Sequence, residues 1–477
     1  MKTAGEFRSD DVTAVEETAA LQGQLRAGAQ AIPVWVRHAS KYSAAVTAID
    51  DSALTPGDYD ALTLALPGDE VSTGHCRLLI DPSLDGTALR LVALEGIVDF
   101  EKLLFSQRFD CLDQAARNVP LVLGYRRNLD AAFRDHVADL SYDLSVYRNL
   151  FDRLDEEYRH EPPAVAEALQ QGIIEHLGPQ MTASLDAYIC QLPELTADFS
   201  GEQHGHHGYY LRKQIWGALL TSPFLARTNL KPRGYIGDSE MMQMCYRHQH
   251  EGGSTFGKLM HFHPVDAAAA QAVRNRRQLV PRLARQLADR LALPATERLK
   301  TLSVACGPAM ELNDLFLSAE DCQRFHCSLL DQDQQALTEA TVQIQSLEAR
   351  FGQPLSVDLI QESVRTLLAT RVLRARWGDF HFIYSMGLFD YLTPPVAEAV
   401  LRKLYALLLP GGEMVIGNFH VDNPTRLYMD YWMDWPLYYR TEQEFLDLAS
   451  SLEGLKAWID YDETGVQMLL RIRKADP

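Results

Sequence analysis

The apolar positions change their period three times along the chain. From Ile32 onward they come in short runs, Val34-Trp35-Val36, Ala44 to Ile49, Leu62 to Leu66, Cys76 to Ile80 and Leu89 to Leu94, set apart by Asp, Gly, Pro and Ser. That texture predicts strands and turns, hence a small β-rich domain over 29–100. Residues 1–28, polar, Ala-rich and acidic, show neither period and are expected to form a flexible tail. Beyond about Phe100 the spacing becomes three and four, with Val137, Leu140, Leu144, Tyr147, Leu150 and Leu154 on one stripe. A second helical stretch, Ala164 to Leu177, follows Pro162-Pro163, so 101–230 reads as a helical domain whose stripes serve its core.

Residues 291–477 alternate strand and helix patterns. A buried-type run ending at Val304 meets Cys306-Gly307-Pro308-Ala309 and then helical spacing at Leu312, Leu315 and Phe316. A second run, Phe325 to Leu330, ends in Asp331, 24 positions after Gly307. Further strands are expected at Leu355 to Ile360, Phe380 to Ser385 and Glu413 to Phe419, each reached through a helical stretch, with Pro410-Gly411-Gly412 as the turn into the last. Parallel strands with intervening helices give a doubly wound α/β sheet. The pair Leu455 to Tyr461 and Val466 to Arg473, around Asp462-Glu463-Thr464-Gly465, reads as a closing hairpin.

Composition narrows the function classes. A chain of 477 residues with 47% hydrophobic and 23% charged residues is an ordinary globular protein of several domains. The formal charge of −19 argues against nucleic acid or an anionic membrane as partner, so an anionic ligand needs a local basic patch. Seven cysteines without a C-x-x-C pair fit reduced thiols and a cytoplasmic location. No apolar run is long enough to span a bilayer, and no apolar leader opens the sequence.

The turn at Gly307 is where chemistry is expected. Glycine there lets a ligand approach the backbone, and Asp331 at the end of the second strand can accept bonds from ribose hydroxyls. Pro308 and Ala309 disfavour the close pyrophosphate approach that NAD requires. Lys231-Pro232-Arg233-Gly234-Tyr235-Ile236-Gly237-Asp238 opens a Met-rich helix and suits a loop that closes over a ligand, with Asp238 bracing it, or alternatively a plain helix cap. This loop and the helix behind it make a lid and linker over 231–290, and that helix carries Arg274, Arg276 and Arg277. Histidines at 204, 206, 207, 248, 250, 261 and 263 lack a defined ligand set, and no metal is expected. The aromatic run Tyr428, Tyr431, Trp432, Trp435, Tyr438 and Tyr439 follows the fifth strand, where it can line an acyl pocket or pack a helix.

Several of these stretches resemble known families. The segment around Gly307 resembles motif I of the class I S-adenosylmethionine-dependent methyltransferases, Pro410-Gly411-Gly412 resembles their turn before strand five, and the hairpin supplies their antiparallel last strand. KPRGYIGDSEMM, AVRNRR, VACGPAMEL, IYSMGLFDYL and GNFHVDNPTRLYMDYWMDWPLYYRT together resemble the proteins of biosynthesis of the extracellular factor 3-hydroxypalmitic acid methyl ester, a quorum-sensing signal. The resemblance implies a Rossmann-like domain with a seven-stranded sheet over 291–477. It implies S-adenosyl-L-methionine as cofactor, held by Ala305, Gly307, Pro308, Asp331, Gln332, Ser363, Ser385 and Met386. Ala309 and Ser363 depart from the residues common in that superfamily. The implied substrate is a hydroxy fatty acid or related small acid, contacted by Asp390, Tyr391, Asn418, Tyr428, Trp432 and Trp435 and oriented by Arg233, Tyr235 and Arg276. Other small acids or alcohols, and a non-catalytic ligand sensor, remain as alternatives.

Overall fold

The computed structural model describes residues 21–28, 30–37, 43–49, 54–66, 69–80, 89–93, 123–124, 128–294, 296–370 and 372–476. The chain divides into two compact units, Met1–Asn128 and Leu129–Pro477. Residues 1–20 of the expected tail and 101–122 at the start of the expected helical domain lie outside the described residues.

The first unit holds eight strands, β1 (Leu21–Ala27), β2 (Gln30–Arg37), β3 (Ser43–Ala48), β4 (Gly57–Tyr59), β5 (Ala61–Leu66), β6 (Asp69–Ser72), β7 (Cys76–Leu79) and β8 (Leu89–Ala93). They form one antiparallel sheet in the order β4-β7-β8-β3-β2-β1-β5-β6. Alternation buries one face, on which Leu25, Val34, Val36, Val46, Leu62, Leu64 and Leu91 meet. The tail expected to reach residue 28 therefore gives way to strand at Leu21. The reason is local: Leu21-Gln22-Gly23-Gln24-Leu25 alternates, but its central Gly23 hides the pattern. A Cβ at Gly23 would sit 2.9 Å from the Leu64 side chain and the Thr63 carbonyl, so the close approach of β5 requires glycine.

In the second unit two long helices, Ala131–Glu157 and Pro163–Leu195, bury Val137, Leu140 and Leu144 as the stripe predicts. They share one core with Phe419 at the end of the fifth strand of the second sheet and with Tyr428, Tyr431 and Trp432 beyond it. The divisions expected at 230 and 290 thus fall inside one compact unit, because the helical residues bury their apolar face on the sheet-bearing part.

That sheet has seven strands, β9 (Leu299–Val304), β10 (Phe325–Asp331), β11 (Val357–Gln361), β12 (Phe380–Ser385), β13 (Leu408–Phe419), β14 (Leu455–Tyr461) and β15 (Gln467–Lys474). Their order is β11-β10-β9-β12-β13-β15-β14. β9 to β13 pair in parallel, whereas β15 runs antiparallel to both neighbours. Apolar cores cover both faces, as buried parallel strands require. The expected Pro410-Gly411-Gly412 turn is absorbed into β13 as an irregularity opposite Phe380 and Phe382, with Gly411 at φ +71°. The order reverses between β9 and β12, which opens a crevice at their carboxyl ends.

Candidate active site

The crevice begins at the turn after β9. Ala305, Gly307 and Ala309 alternate in the left-handed region, at φ +56°, +55° and +49°. Glycine adopts this freely, while each alanine bears a strain of about 1–2 kcal/mol. The turn is held by the second strand: Cys306 N donates to Leu330 O at 3.0 Å and Gly307 N to Asp331 Oδ2 at 2.8 Å. Asp331 Oδ1 accepts the Asp333 amide at 2.9 Å. Burial raises the Asp331 pKa, and the amides of Asp333 and Gly307 oppose that rise. Turn and acid are therefore one preassembled unit. Pro308 is buried beneath it, Ala305 is exposed in the crevice and Gln332 faces solvent.

The loop between Lys231 and Asp238 crosses this edge. Arg233 donates to Asp333 Oδ2 at 3.0 Å, Glu339 Oε1 at 2.6 Å and Ser239 Oγ at 2.6 Å. Tyr235 donates its hydroxyl to the same Asp333 oxygen at 2.7 Å, and Gln243 reaches Glu339 at 2.8 Å. Asp333 also caps the helix Gln334–Phe351. Arg233 and Tyr235, expected at the substrate head, are instead tied to these carboxylates, because a half-buried guanidinium and phenol take the nearest acids. The far end of the loop lies against the opposite wall: a Cβ at Gly237 (φ +79°) would meet Tyr391 Oη at 2.5 Å and Trp435 Cζ2 at 3.3 Å. Asp238 braces the loop, accepting Arg227 Nε on both oxygens at 2.8 Å and capping the helix Ser239–Arg247.

Arg276, on the helix Ala268–Leu291, reaches the end of β12. Its Nη1 donates to Met386 O at 2.8 Å and Gln467 Oε1 at 3.3 Å, and Nη2 lies 3.3 Å from Met242 Sδ. All three are neutral, and the guanidinium is buried without a carboxylate at ion-pair distance among the described residues. Asp390 is nearby, its carboxyl accepting Phe419 N at 2.7 Å and pushed up to about 6 by burial, against the pull of that amide and of Arg276 and Arg440. Tyr391 accepts the Trp435 indole N–H at 2.9 Å.

The remaining expected contacts have internal partners. Ser385 donates to Val304 O at 2.9 Å, and Ser363 caps the helix Val364–Ala369. Asn418 donates to Phe419 O at 2.9 Å and Tyr438 O at 3.0 Å and accepts Arg440, so its amide stitches β13 to the following loop. Tyr428 bonds His263 at 2.9 Å, and Trp432 packs edge-on to Tyr428 in the helical core. Of the aromatic run, Trp435 is the member that the structure brings to Tyr391 and Gly237.

Sequence reasoning missed Asp333, Glu339, Glu311 and Tyr384. Asp333 had a signal, an acid directly before a helical pattern. Tyr384 Oη donates to Glu311 Oε1 at 2.8 Å across 73 positions, which no local pattern reveals. No group of histidine, cysteine and acidic side chains among the described residues could hold a metal.

Neither a family model nor a curated protein matches the sequence. Among solved structures, a possible exported protein of Bordetella parapertussis is 20% identical, over 56% of this chain and 88% of that one, with a TM-score of 0.41. The magnesium protoporphyrin IX methyltransferase of Synechocystis with bound SAH is 13% identical over 50% and 95%, with a TM-score of 0.34. A Burkholderia thailandensis 1,6-didemethyltoxoflavin-N1-methyltransferase with S-adenosylhomocysteine is 16% identical over 42% and 80%, at 0.29. These likenesses are slight, and the class rests on strand order: a Rossmann-like methyltransferase fold, with its antiparallel strand inserted next to the fifth. Among the described residues no helix is long and apolar enough to cross a membrane.

Proposed function

We propose that the protein is an S-adenosylmethionine-dependent O-methyltransferase that forms the methyl ester of a 3-hydroxy fatty acid, as a quorum-sensing signal. The observation that carries the cofactor reading is the left-handed turn at Gly307, bonded to Asp331 and open in front. A Cβ built on Gly307 would meet nothing within 4 Å, so a ligand has room against the backbone. Asp331 keeps acceptor directions beyond its two amides for ribose hydroxyls. When bound, the cofactor supplies an electrophilic methyl group on a sulfonium.

The chain's own residues have to align the acceptor with that group. A fatty carboxylate, with a pKa of about 4–5, is ionised at neutral pH and needs no base. It needs orientation, which contributes up to about 7–11 kcal/mol in favourable cases. Arg276 suits this role, since a buried guanidinium bonded to neutral acceptors gains from an arriving anion. Tyr391 and Trp435 offer an apolar wall beside it, and the loop from Lys231 to Asp238 excludes water. A second reading is favoured by Asp390: a hydroxyl acceptor needs a base, and this buried carboxyl is pushed up to about 6.

The test is incubation of the full chain with labelled S-adenosylmethionine and a panel of free 3-hydroxy acids and matching alcohols, with products read by mass spectrometry. Methyl esters of the acids support the first reading, and methyl ethers the second. No labelled product from any acid or alcohol would end the fatty-acid assignment.

A further inference from the structure

We propose that Glu311 is the anionic contact for the α-ammonium at the amino-acid end of the bound cofactor, an inference that rests on the S-adenosylmethionine reading of the same crevice. Three observations lead there. Position comes first: Glu311 follows the turn after β9, and its hydroxyl partner Tyr384 is the penultimate residue of β12, so the carboxylate stands over the pair of strands where the order reverses. That is the place where open α/β sheets receive ligands.

Charge comes second. Arg276 and Arg277 are close enough to lower the Glu311 pKa, yet neither pairs with it. Arg277 is engaged with Asp314 at 2.7 Å, and Arg276 with Met386 O and Gln467. No lysine, arginine or histidine among the described residues forms an ion pair with Glu311. Its surroundings raise its pKa by burial, which the Tyr384 bond and the two arginines only partly oppose. A secluded carboxylate without a cation is costly unless one arrives.

Access comes third. Glu311 keeps partial exposure at the crevice, whereas Tyr384 behind it is buried. The charge is thus reachable from the ligand side and anchored from the sheet side. A ligand carrying an α-ammonium beside a sulfonium supplies the missing positive charge. The competing explanation is that Glu311 only braces Tyr384 between β9 and β12.

Ligand truncation separates the two. Calorimetry on the full chain compares S-adenosylhomocysteine with 5′-methylthioadenosine, which shares adenine, ribose and thioether but lacks the amino-acid end. Glu311→Gln keeps the shape and the acceptor for Tyr384. It should weaken S-adenosylhomocysteine binding about tenfold or more while leaving methylthioadenosine within about twofold. Equal losses for both ligands, or none for either, would overturn the proposal in favour of bracing. A wild-type protein that binds methylthioadenosine but gains nothing from the amino-acid end overturns it as well, with the adenosine site intact. Wild-type protein that binds neither ligand would instead remove the cofactor reading on which it stands.

Discussion

Replacing Arg233 with alanine tests whether the loop from Lys231 to Asp238 closes the crevice or merely decorates it. The guanidinium bridges Asp333 and Glu339, and the three side chains retain 11%, 14% and 24% of their exposure. Removing one partner of a fully buried pair costs about 3–5 kcal/mol, and an exposed pair contributes about 0–1. Here both carboxylates regain water once the loop lifts, which puts the loss between those limits, at about 2–3 kcal/mol. Concentrated in loop closure, that is a release of S-adenosylhomocysteine faster by about 30- to 150-fold. Stopped-flow displacement measures it, and a thermal melt should move little because the core is untouched. High salt should speed release from the wild type and leave the variant nearly unchanged. The pH sign follows from Asp333: burial pushes its pKa up, but the bonds from Tyr235 and Arg233 win and hold it below its ordinary 3.8. Closure is then fully present above that value and is lost as pH falls through the lowered one, so release near neutrality should be flat with respect to this group. A variant whose melting temperature collapses while release stays unchanged would show the loop to be a static brace.

Three further outcomes are expected. Gly307→Ala should lower stability by about 1–2 kcal/mol, the strain already tolerated at Ala305 and Ala309, yet weaken S-adenosylhomocysteine binding more than tenfold by calorimetry, because the new methyl enters ligand space. Trp435→Ala removes a buried ring and so costs stability as well, but it should blur the acyl-length preference in the kcat/KM of the folded fraction, whereas Trp432→Ala should cost about 3–5 kcal/mol in denaturant unfolding and leave that preference unchanged. His261 is buried and its imidazole is held down to about 4 by burial. The unfolded chain takes up that proton near 6.5, so the contribution is present above 6.5 and is lost as pH falls toward 4; His261→Asn, which keeps an acceptor for the Phe224 amide, should flatten this part of a melting-temperature profile.

What was legible in the sequence was what depends on neighbours along the chain. The turn at Gly307, the acid at Asp331 and the final hairpin each follow from a change of period next to a turn residue. What was illegible depends on partners far away. Arg233 and Tyr235 carry the right groups for a substrate head, yet their acids lie 98 to 106 positions on. Aromatic density after β13 fits a pocket and a core equally well. His204 and His263, bonding Tyr431 and Tyr428 at 2.8 and 2.9 Å, draw those side chains into the helical core, and neither contact has a sequence period.

The split within that aromatic run has a physical cause at Asp434. Trp432 and Trp435 are three positions apart and would share a face had the helix continued, but the helix stops at Trp432 and Asp434 takes a left-handed φ of +49°. The bend is held by charge: Arg212 Nη2 and Lys231 Nζ each lie 2.8 Å from an Asp434 oxygen. Beyond the bend Trp435 stays in the helical core beside Phe224, but its indole N–H turns to Tyr391. Lys231 is itself left-handed, at φ +47°, and is the residue from which the crossing loop departs. Loop and aromatic wall therefore spring from one ion pair between two backbone positions that are strained for their residue types. Such strain persists only where the surroundings over-determine it. Here the same pair orients the two surfaces that meet at Gly237, which is how the helical region helps to shape the crevice.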